Sequence, residues 1–584
     1  LKQKLDFITK GLYTQGKFSF DSWYLEKYTR SRTYATYTPV DMNGQIYYKR
    51  TGSDGQLSYT LDGNNQSNKM RKNYLELSLN YARNFGDHTV TALALYNQSK
   101  SFFTEGQYRD IPRAYLGFVS RITYNYQNRY LAEFNFGLNG SENFPQGEGR
   151  RFGKFPAYSV GWVVSQEKFM QSVEFINHLK LRASYGSVGN DQIGGQRFLY
   201  VSGSFVNIPG GYTNFFGDPN STISYLGLQE GRMANENITW EVAKKVNLGL
   251  ESKLFKNQLT INFDLFREHR SNILTYLATI PWMMMPDMRY GGTSWTNGSL
   301  APPVNYAEVE NKGYEIEVGW DSKIGEVGYQ IQASLTHAEN KRTRISEATQ
   351  YYPWLYGQGQ SIGQYYGLVA DGYYDSFAEV HDVNNPFSSF GKNLIPGDIK
   401  YKDINGDMKI DPNDVVPIGY SNIPQKTFSL NLGADYKGFD FSMLFQGAAQ
   451  VSYHPGDEAQ IQFYGGNNAF DWVVNRWTPE TRDKATYPVL HQLAYNYSTS
   501  HDFKTSSYWL KDASYVRLKN VELGYNLPAS FTKLIRLSNA RIYLNGQNLF
   551  TLDKLKYWDP ESIQSRLVLH PIMKIYNAGI SMTF

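Results

Sequence analysis

Cysteine is absent from all 584 residues, which excludes a disulfide-stapled scaffold and any thiolate metal site. No run of 18 apolar residues occurs, so no transmembrane helix is expected. That absence leaves membrane-crossing strands untouched, because half of each such strand faces water and mean hydropathy stays low. The formal charge is only +4, too small a surplus at this length to mark a nucleic-acid binder. Catalytic signatures are missing too. The nine histidines are scattered, none in an H-x-x-x-H or H-E-x-x-H spacing, and no G-x-S-x-G or P-loop is present. Carboxylates are many, but no pair is brought together by sequence alone, so no enzyme is expected. Nor is there a Pro/Ser linker, a charge block or a change of periodicity that would divide the chain. The first residue is Leu rather than Met, no signal peptide precedes Leu1, and residues 1–28 already read as strand. A mature fragment lacking an amino-terminal part is therefore expected.

What the chain has in abundance is Tyr, at 47, and Phe, at 34, while charged residues make up only 19%. Strand formers and interfacial aromatic girdles both call for that bias. The organising pattern is clearest at the carboxyl end. Tyr576, Ala578, Ile580, Met582 and Phe584 alternate with Asn577, Gly579, Ser581 and Thr583, one face apolar and the other small and polar. Val521, Leu523, Tyr525 and Leu527 form a second apolar row against Glu522, Gly524 and Asn526, and Ile542 and Leu544 a third against Arg541, Tyr543 and Asn545. Arg517 and Lys519 fall in the apolar parity of their strand, so a bulge or an exit from the lipid is predicted there.

The same rhythm recurs upstream. Leu75–Tyr81, Tyr130–Leu138, Leu179–Tyr185, Leu259–Leu265, Tyr314–Trp320, Tyr329–Leu335 and Phe428–Phe445 all alternate in this way. Glu315, Glu317, Asp264 and Asp440 lie on the polar faces, where a dry sandwich core would penalise them and a wet lumen would not. The fold expected is all-β: a large antiparallel transmembrane β-barrel of roughly 16–20 strands. Tight connections at Gly86-Asp87, Gln127-Asn128, Lys256-Asn257 and Lys437-Gly438 contrast with long ones near 190–236, 271–309, 342–423, 452–507 and 551–571. Long loops belong outside the cell and short turns in the periplasm.

Several stretches resemble the SusC/RagA family of TonB-dependent outer-membrane transporters of Bacteroidetes. They are 151–170 (RFGKFPAYSVGWVVSQEKFM), 179–190 (LKLRASYGSVGN), 311–318 (NKGYEIEV), 362–374 (IGQYYGLVADGYY), 396–411 (PGDIKYKDINGDMKID), 475–488 (NRWTPETRDKATYP) and 514–560. They fall in the family's order and cover nearly the whole chain. The resemblance implies a 22-stranded barrel in the outer membrane of a Gram-negative bacterium, importing oligosaccharides or oligopeptides. It also implies a SusD-like lipoprotein lid, energy from TonB through an internal plug, and a dimer of transporter–lipoprotein pairs. The plug, the TonB box and the first strands are not in this sequence, so residues 1–584 read as a partial barrel. Rival readings are a siderophore receptor or passive porin and, from another class, a secreted glycan-binding β-sandwich protein.

Three sets of residues are candidates for function. Residues 403–414 place Asp403, Asn405, Asp407, Asp411 and Asp414 at positions 1, 3, 5, 9 and 12 of a calcium-type loop, with the Lys409 carbonyl at position 7. Met408 stands where Gly is usual, and the bland alternative is an Asx-rich turn. A calcium ion stiffening this loop is the sole cofactor expected. Loop aromatics form the second set: Trp282, Tyr290, Trp295, Trp354, Tyr365, Tyr366, Tyr373, Tyr374, Tyr464 and Trp472. Flat rings stack on sugars, pack against peptides and anchor lids; singly, each is better explained as filling a loop's own core. Met283, Met284 and Met285 follow Trp282 and read as loop packing. The third is Phe584, whose aromatic carboxyl terminus resembles a barrel-assembly signal. Deleting Phe584 is expected to lower the amount of folded protein recovered in outer membranes; unchanged levels by heat-modifiable migration would discard that role.

Overall fold

A computed structural model describes residues 1–584 except 26–27, 62–67, 104–110, 148, 194–196, 204–205, 208–212, 219–220, 227, 230–231, 279–301, 392, 457–458, 464–467, 492–500, 535 and 563–571. One 17-stranded sheet dominates it. Its strands are β1 (Lys2–Lys4), β2 (Leu12–Leu25), β3 (Asn68–Phe85), β4 (His88–Phe103), β5 (Arg113–Tyr126), β6 (Tyr130–Ser141), β7 (Phe152–Val163), β8 (Ile176–Asn190) and β9 (Glu241–Leu254). They continue as β10 (Leu259–Thr275), β11 (Val304–Ile324), β12 (Val327–Arg344), β13 (Lys426–Tyr436), β14 (Phe439–Ala449), β15 (Tyr515–Asn526), β16 (Asn539–Asp553) and β17 (Ile575–Thr583). Each pairs antiparallel with the next in the chain, from β1–β2 through β16–β17. This is the up-and-down order of an outer-membrane barrel wall in a single layer, which removes the β-sandwich reading.

The pairing registers place apolar rows side by side. Leu523 faces Leu544, and Leu544 faces Ala578; Leu248 faces Leu265, and Leu265 faces Tyr314. These rows are open to the exterior: Leu544 is 59% exposed, Ile580 60% and Leu248 51%. The total accessible area is 37244 Å², whereas a compact soluble protein of this mass would show about 21,000 Å². Apolar surface of that extent calls for lipid. The opposite face is polar. Arg182 lies opposite Gly249 and would collide with any Cβ there, at 2.6 Å from its Cζ. The same holds for Gly524 beneath Arg541. Glycine in the inward rows makes room for long cations to lie flat along the wall.

Connections segregate by side. Two-residue turns join β3 to β4, β11 to β12 and β13 to β14, and the β5–β6 turn holds Gln127 and Asn128 at positive φ. The other rim carries the described parts of 26–67, 142–151, 191–240, 345–425, 450–514 and 554–574, while most of the expected loop near 271–309 lies outside the described residues. The rim also carries a ribbon of two nested hairpins, Tyr28–Ser31 with Ser58–Leu61 and Thr36–Met42 with Gln45–Thr51. The irregularity predicted near Lys519 is present: Leu518 pairs with Phe550 and Asn520 with Gln547, leaving Lys519 in the bulge.

The parity of the wall is testable with neighbouring residues. Leu544→Arg puts a cation into lipid near mid-strand and is expected to cost about 2–4 kcal/mol. Asn545→Arg adds the same charge to the lumen beside Glu522 and is expected to be nearly neutral. Denaturant titration in lipid vesicles reads both; equal costs would refute the assignment of faces.

Candidate functional site, the lumen and loop platform

The inward rows form a ladder of charges and amides. Arg182 bonds Asp264 at 2.6 Å and Glu251 at 3.0 Å, and Lys180 reaches Glu251 at 3.2 Å. Arg541 bridges Glu522 at 2.6 Å and Asp440. Glu317 accepts from Asn262 at 3.1 Å and from Gln332 at 2.6 Å, while Lys17 pairs with Glu76 at 2.8 Å. Of the carboxylates expected to face the lumen, Asp264, Asp440 and Glu317 find partners on other strands. A cavity of about 490 Å³ lies against this wall, lined in part by Thr89, Asn125, Glu133, Ser159, Lys180 and Arg182.

Apolar cores occur on the loop rim. One contains Leu368, Ile399, Tyr401, Ile410, Val473, Tyr487 and Trp509, joining loop 345–425 to loop 450–514. Short ladders brace it: Tyr365–Gly367 with Val416–Ile418, Ala370–Tyr373 with Ile399–Tyr401, and Ser452–Tyr453 with Lys511–Asp512. A second core joins Phe144, Phe155, Ile193, Leu199, Ile238 and Trp240. A third, Val451, Tyr453, Ala513 and Leu555, packs against Trp558.

These cores account for several of the aromatics singled out above. Tyr374 is 2% exposed, and burial raises its pKa to about 12. Tyr373 and Tyr508 share a hydroxyl–hydroxyl hydrogen bond of 2.7 Å, and burial likewise lifts Tyr373 to about 12. Tyr366 donates to the Tyr356 carbonyl at 2.9 Å, and Tyr365 sits against His454 with centroids 6.2 Å apart. Trp354 stacks on Tyr352 at 4.7 Å and donates to the Asn413 carbonyl at 2.8 Å. Trp472 is different. It stacks on Phe470 at 4.3 Å, tilts against Tyr557 at 4.5 Å and meets Trp558 at 5.9 Å. This half-buried aromatic group was only partly foreseen, because Tyr557 and Trp558 lie far along the chain. Trp282, Tyr290, Trp295, the three methionines after Trp282, and Tyr464 lie outside the described residues.

In residues 403–414 the oxygens mostly turn onto the loop's own backbone. Asp403 accepts from Gly406 and Met408 N–H, each at 2.7 Å; Asn405 accepts from Asp407 at 3.1 Å and Asp407 from Lys409 at 3.0 Å. Met408 adopts φ 62°, the left-handed conformation for which Gly is usual. Asp414, fully buried, caps Ile404 and Asp411 N–H at 2.8 Å each. Burial pushes Asp414 upward, whereas Asp411 is held low despite its burial, chiefly by the Lys409 ammonium at 2.7 Å.

Arg517 rises from the bulged strand into the rim and is 1% exposed. Its guanidinium meets Asp559 and Glu561 at 2.6 Å each and Thr551 at 2.9 Å. Lys519 adds a second contact to Glu561 at 2.7 Å. The Tyr557-Trp558 pair is thereby fastened above the wall.

A single up-and-down sheet with an apolar outer face, a paired ionic inner face and packed loops on one rim marks an outer-membrane β-barrel. Residues 4–549 match the family described as TonB dependent receptor-like, beta-barrel, and the chain belongs to that family. It is 26% identical over 544 residues to TonB-dependent receptor P3 of Formosa agariphila, covering 86% of this chain and 50% of that protein. It is 25% identical over 487 residues to TonB-dependent receptor SusC of Bacteroides thetaiotaomicron, covering 80% and 44% respectively. The chain thus spans about half the length of these relatives. Among solved structures, the RagAB peptide transporter superposes with a TM-score of 0.69 at 19% identity, over 99% of this chain and 60% of that one, which shows the shared fold.

Proposed function

We propose that this chain forms most of the barrel of an energy-coupled importer of oligosaccharides or oligopeptides. A SusD-like lipoprotein would cap the loop rim, and a plug and TonB contact would come from a segment outside these residues. The observation that carries the reading is the pairing of an ionised, amide-rich lumen with a rim of packed aromatic loops. Such walls suit extended polar ligands of either class, and the RagAB relative is named for peptide transport. The outer edges of β1 and β17 have no strand partner among the described residues, which is compatible with further strands completing the wall. A dimer of transporter–lipoprotein pairs is part of this proposal.

Purification of the full-length protein from native membranes tests it. A co-purifying surface lipoprotein is expected, together with uptake of labelled oligopeptide or oligosaccharide that stops when TonB is removed. Uptake that is unaffected by TonB loss, with no lipoprotein present, would replace the importer by a passive porin.

Residues 403–414 carry a smaller proposal, a calcium ion that stiffens the loop through Asp403, Asn405, Asp407, Asp411 and the Lys409 carbonyl. Asp414, already engaged by backbone N–H groups, would brace the loop from behind. Tyr352 and Trp354 flank it, with Tyr352 accepting from Asn405 at 3.2 Å. Terbium should therefore give sensitised emission that calcium displaces and that Asp403→Ala with Asp407→Ala removes. No emission from the wild type would leave the loop an Asx-rich turn.

A further inference from the structure

Within the larger loop core, three side chains from distant positions converge. Asp398 comes from loop 345–425, and His491 and Asp502 come from loop 450–514. Among the described residues they are the one group of three such ligands whose donor atoms all lie within 4.8 Å of one another. Asp398 is 1% and Asp502 3% exposed. His491 Nε2 stands 2.6 Å from Asp398 Oδ1 and 3.6 Å from Asp502 Oδ2.

The electrostatics of this cluster do not close on their own. Two carboxylates and one imidazole leave at least one net negative charge in an apolar interior, a costly arrangement without a further cation or proton. Asp502 Oδ2 is buried without a hydrogen-bond partner. The remaining oxygens are already assigned: Asp398 Oδ2 accepts from Ile395 N–H and Asp502 Oδ1 from Ile399 N–H, each at 2.8 Å. Those backbone bonds hold the other oxygen of each carboxylate toward His491, as outer-shell contacts orient metal ligands. Neighbouring His501 lies outside the cluster: its Nε2 meets the Ile399 carbonyl at 2.5 Å and its Nδ1 the Ser388 hydroxyl at 2.7 Å.

We propose that Asp398, His491 and Asp502 bind a first-row divalent metal ion of the zinc class, which cross-links the two largest loops of the rim. One imidazole and two carboxylates form a donor set such ions accept. Metal–ligand bonds of about 2.0–2.2 Å place donor atoms about 3–3.5 Å apart, so the two spacings to His491, 2.6 and 3.6 Å, need only sub-ångström adjustment, and all three donor atoms lie within 4.8 Å of one another. Three protein ligands leave a fourth position for water. The competing occupant is a proton shared by Asp398 and Asp502, and burial together with the Asp398 charge does push Asp502 upward.

The two occupants separate cleanly in experiments on the purified full-length protein in detergent. Dialysis against zinc followed by metal analysis should find one equivalent retained by the wild type and none at this site in Asp502→Asn. A chelator should lower the Tm of the wild type and leave that of Asp502→Asn unchanged. Cobalt(II) loading of the wild type gives a readout that needs no variant, a visible absorption band that zinc abolishes. Zinc retained equally by both proteins, no cobalt band, or a chelator-insensitive wild-type Tm would each overturn the proposal.

Discussion

One constraint governs this molecule: its sheet is a single layer with lipid on one side and water on the other. A strand in that position has no dry interior to fold around, so its backbone groups must pair laterally along the whole sheet. The unbroken antiparallel order from β1 to β17 meets that demand. The side chains then divide by parity, and a shift of one residue would move every leucine into water and every arginine into lipid. That is why the alternation is so regular through the spans, and why departures from it coincide with places where a strand leaves the bilayer. At Lys519 the register shifts, and beyond it Arg517 is engaged by the rim carboxylates instead of by lipid.

The lumen follows from the same constraint. Water alone could solvate its charges, yet most are matched across strands, as with Arg182 against Asp264 and Glu251, or Arg541 against Asp440 and Glu522. Individually such partly exposed pairs contribute little to stability. Their effect is to hold long side chains against the wall, over glycines, and to keep the passage open. A lumen of loose cations would fill its own channel and present one sign of charge to every solute. A paired wall offers hydrogen bonds of both kinds.

Much of the wall could be read from residue order, because strand identity, face and tight turns are local properties with a period of two. The loop rim could not. Trp472 meets Tyr557 and Trp558 across more than eighty positions, and the carboxylate–imidazole cluster joins residues about a hundred apart. Neither has a periodic signature, since contacts between loops are set by how the cores beneath them pack. The ribbon at 28–61 has no readable rhythm for a related reason: its paired segments carry aromatics on both faces, so no two-residue alternation marks them. Among the aromatics, composition does not separate core from surface. Tyr374 proved buried, whereas Trp472 belongs to a half-exposed stack.

The rim also has to be stiff. Long loops without cysteine usually lose definition, because each residue held in place costs conformational entropy. Here the restraint is distributed. Short ladders tie neighbouring loop segments, apolar cores collect their aromatics, and Arg517 fastens 559–561 to the strand below. The Asp398–His491–Asp502 cluster lies where loops 345–425 and 450–514 meet, the junction with the greatest chain length on either side. Closing a loop restricts it more when the loop is longer, so a cross-link at that junction orders more chain than one at any short turn. A rim held in this way can stand at a fixed height over the lumen, as the lid and solute path proposed above would require.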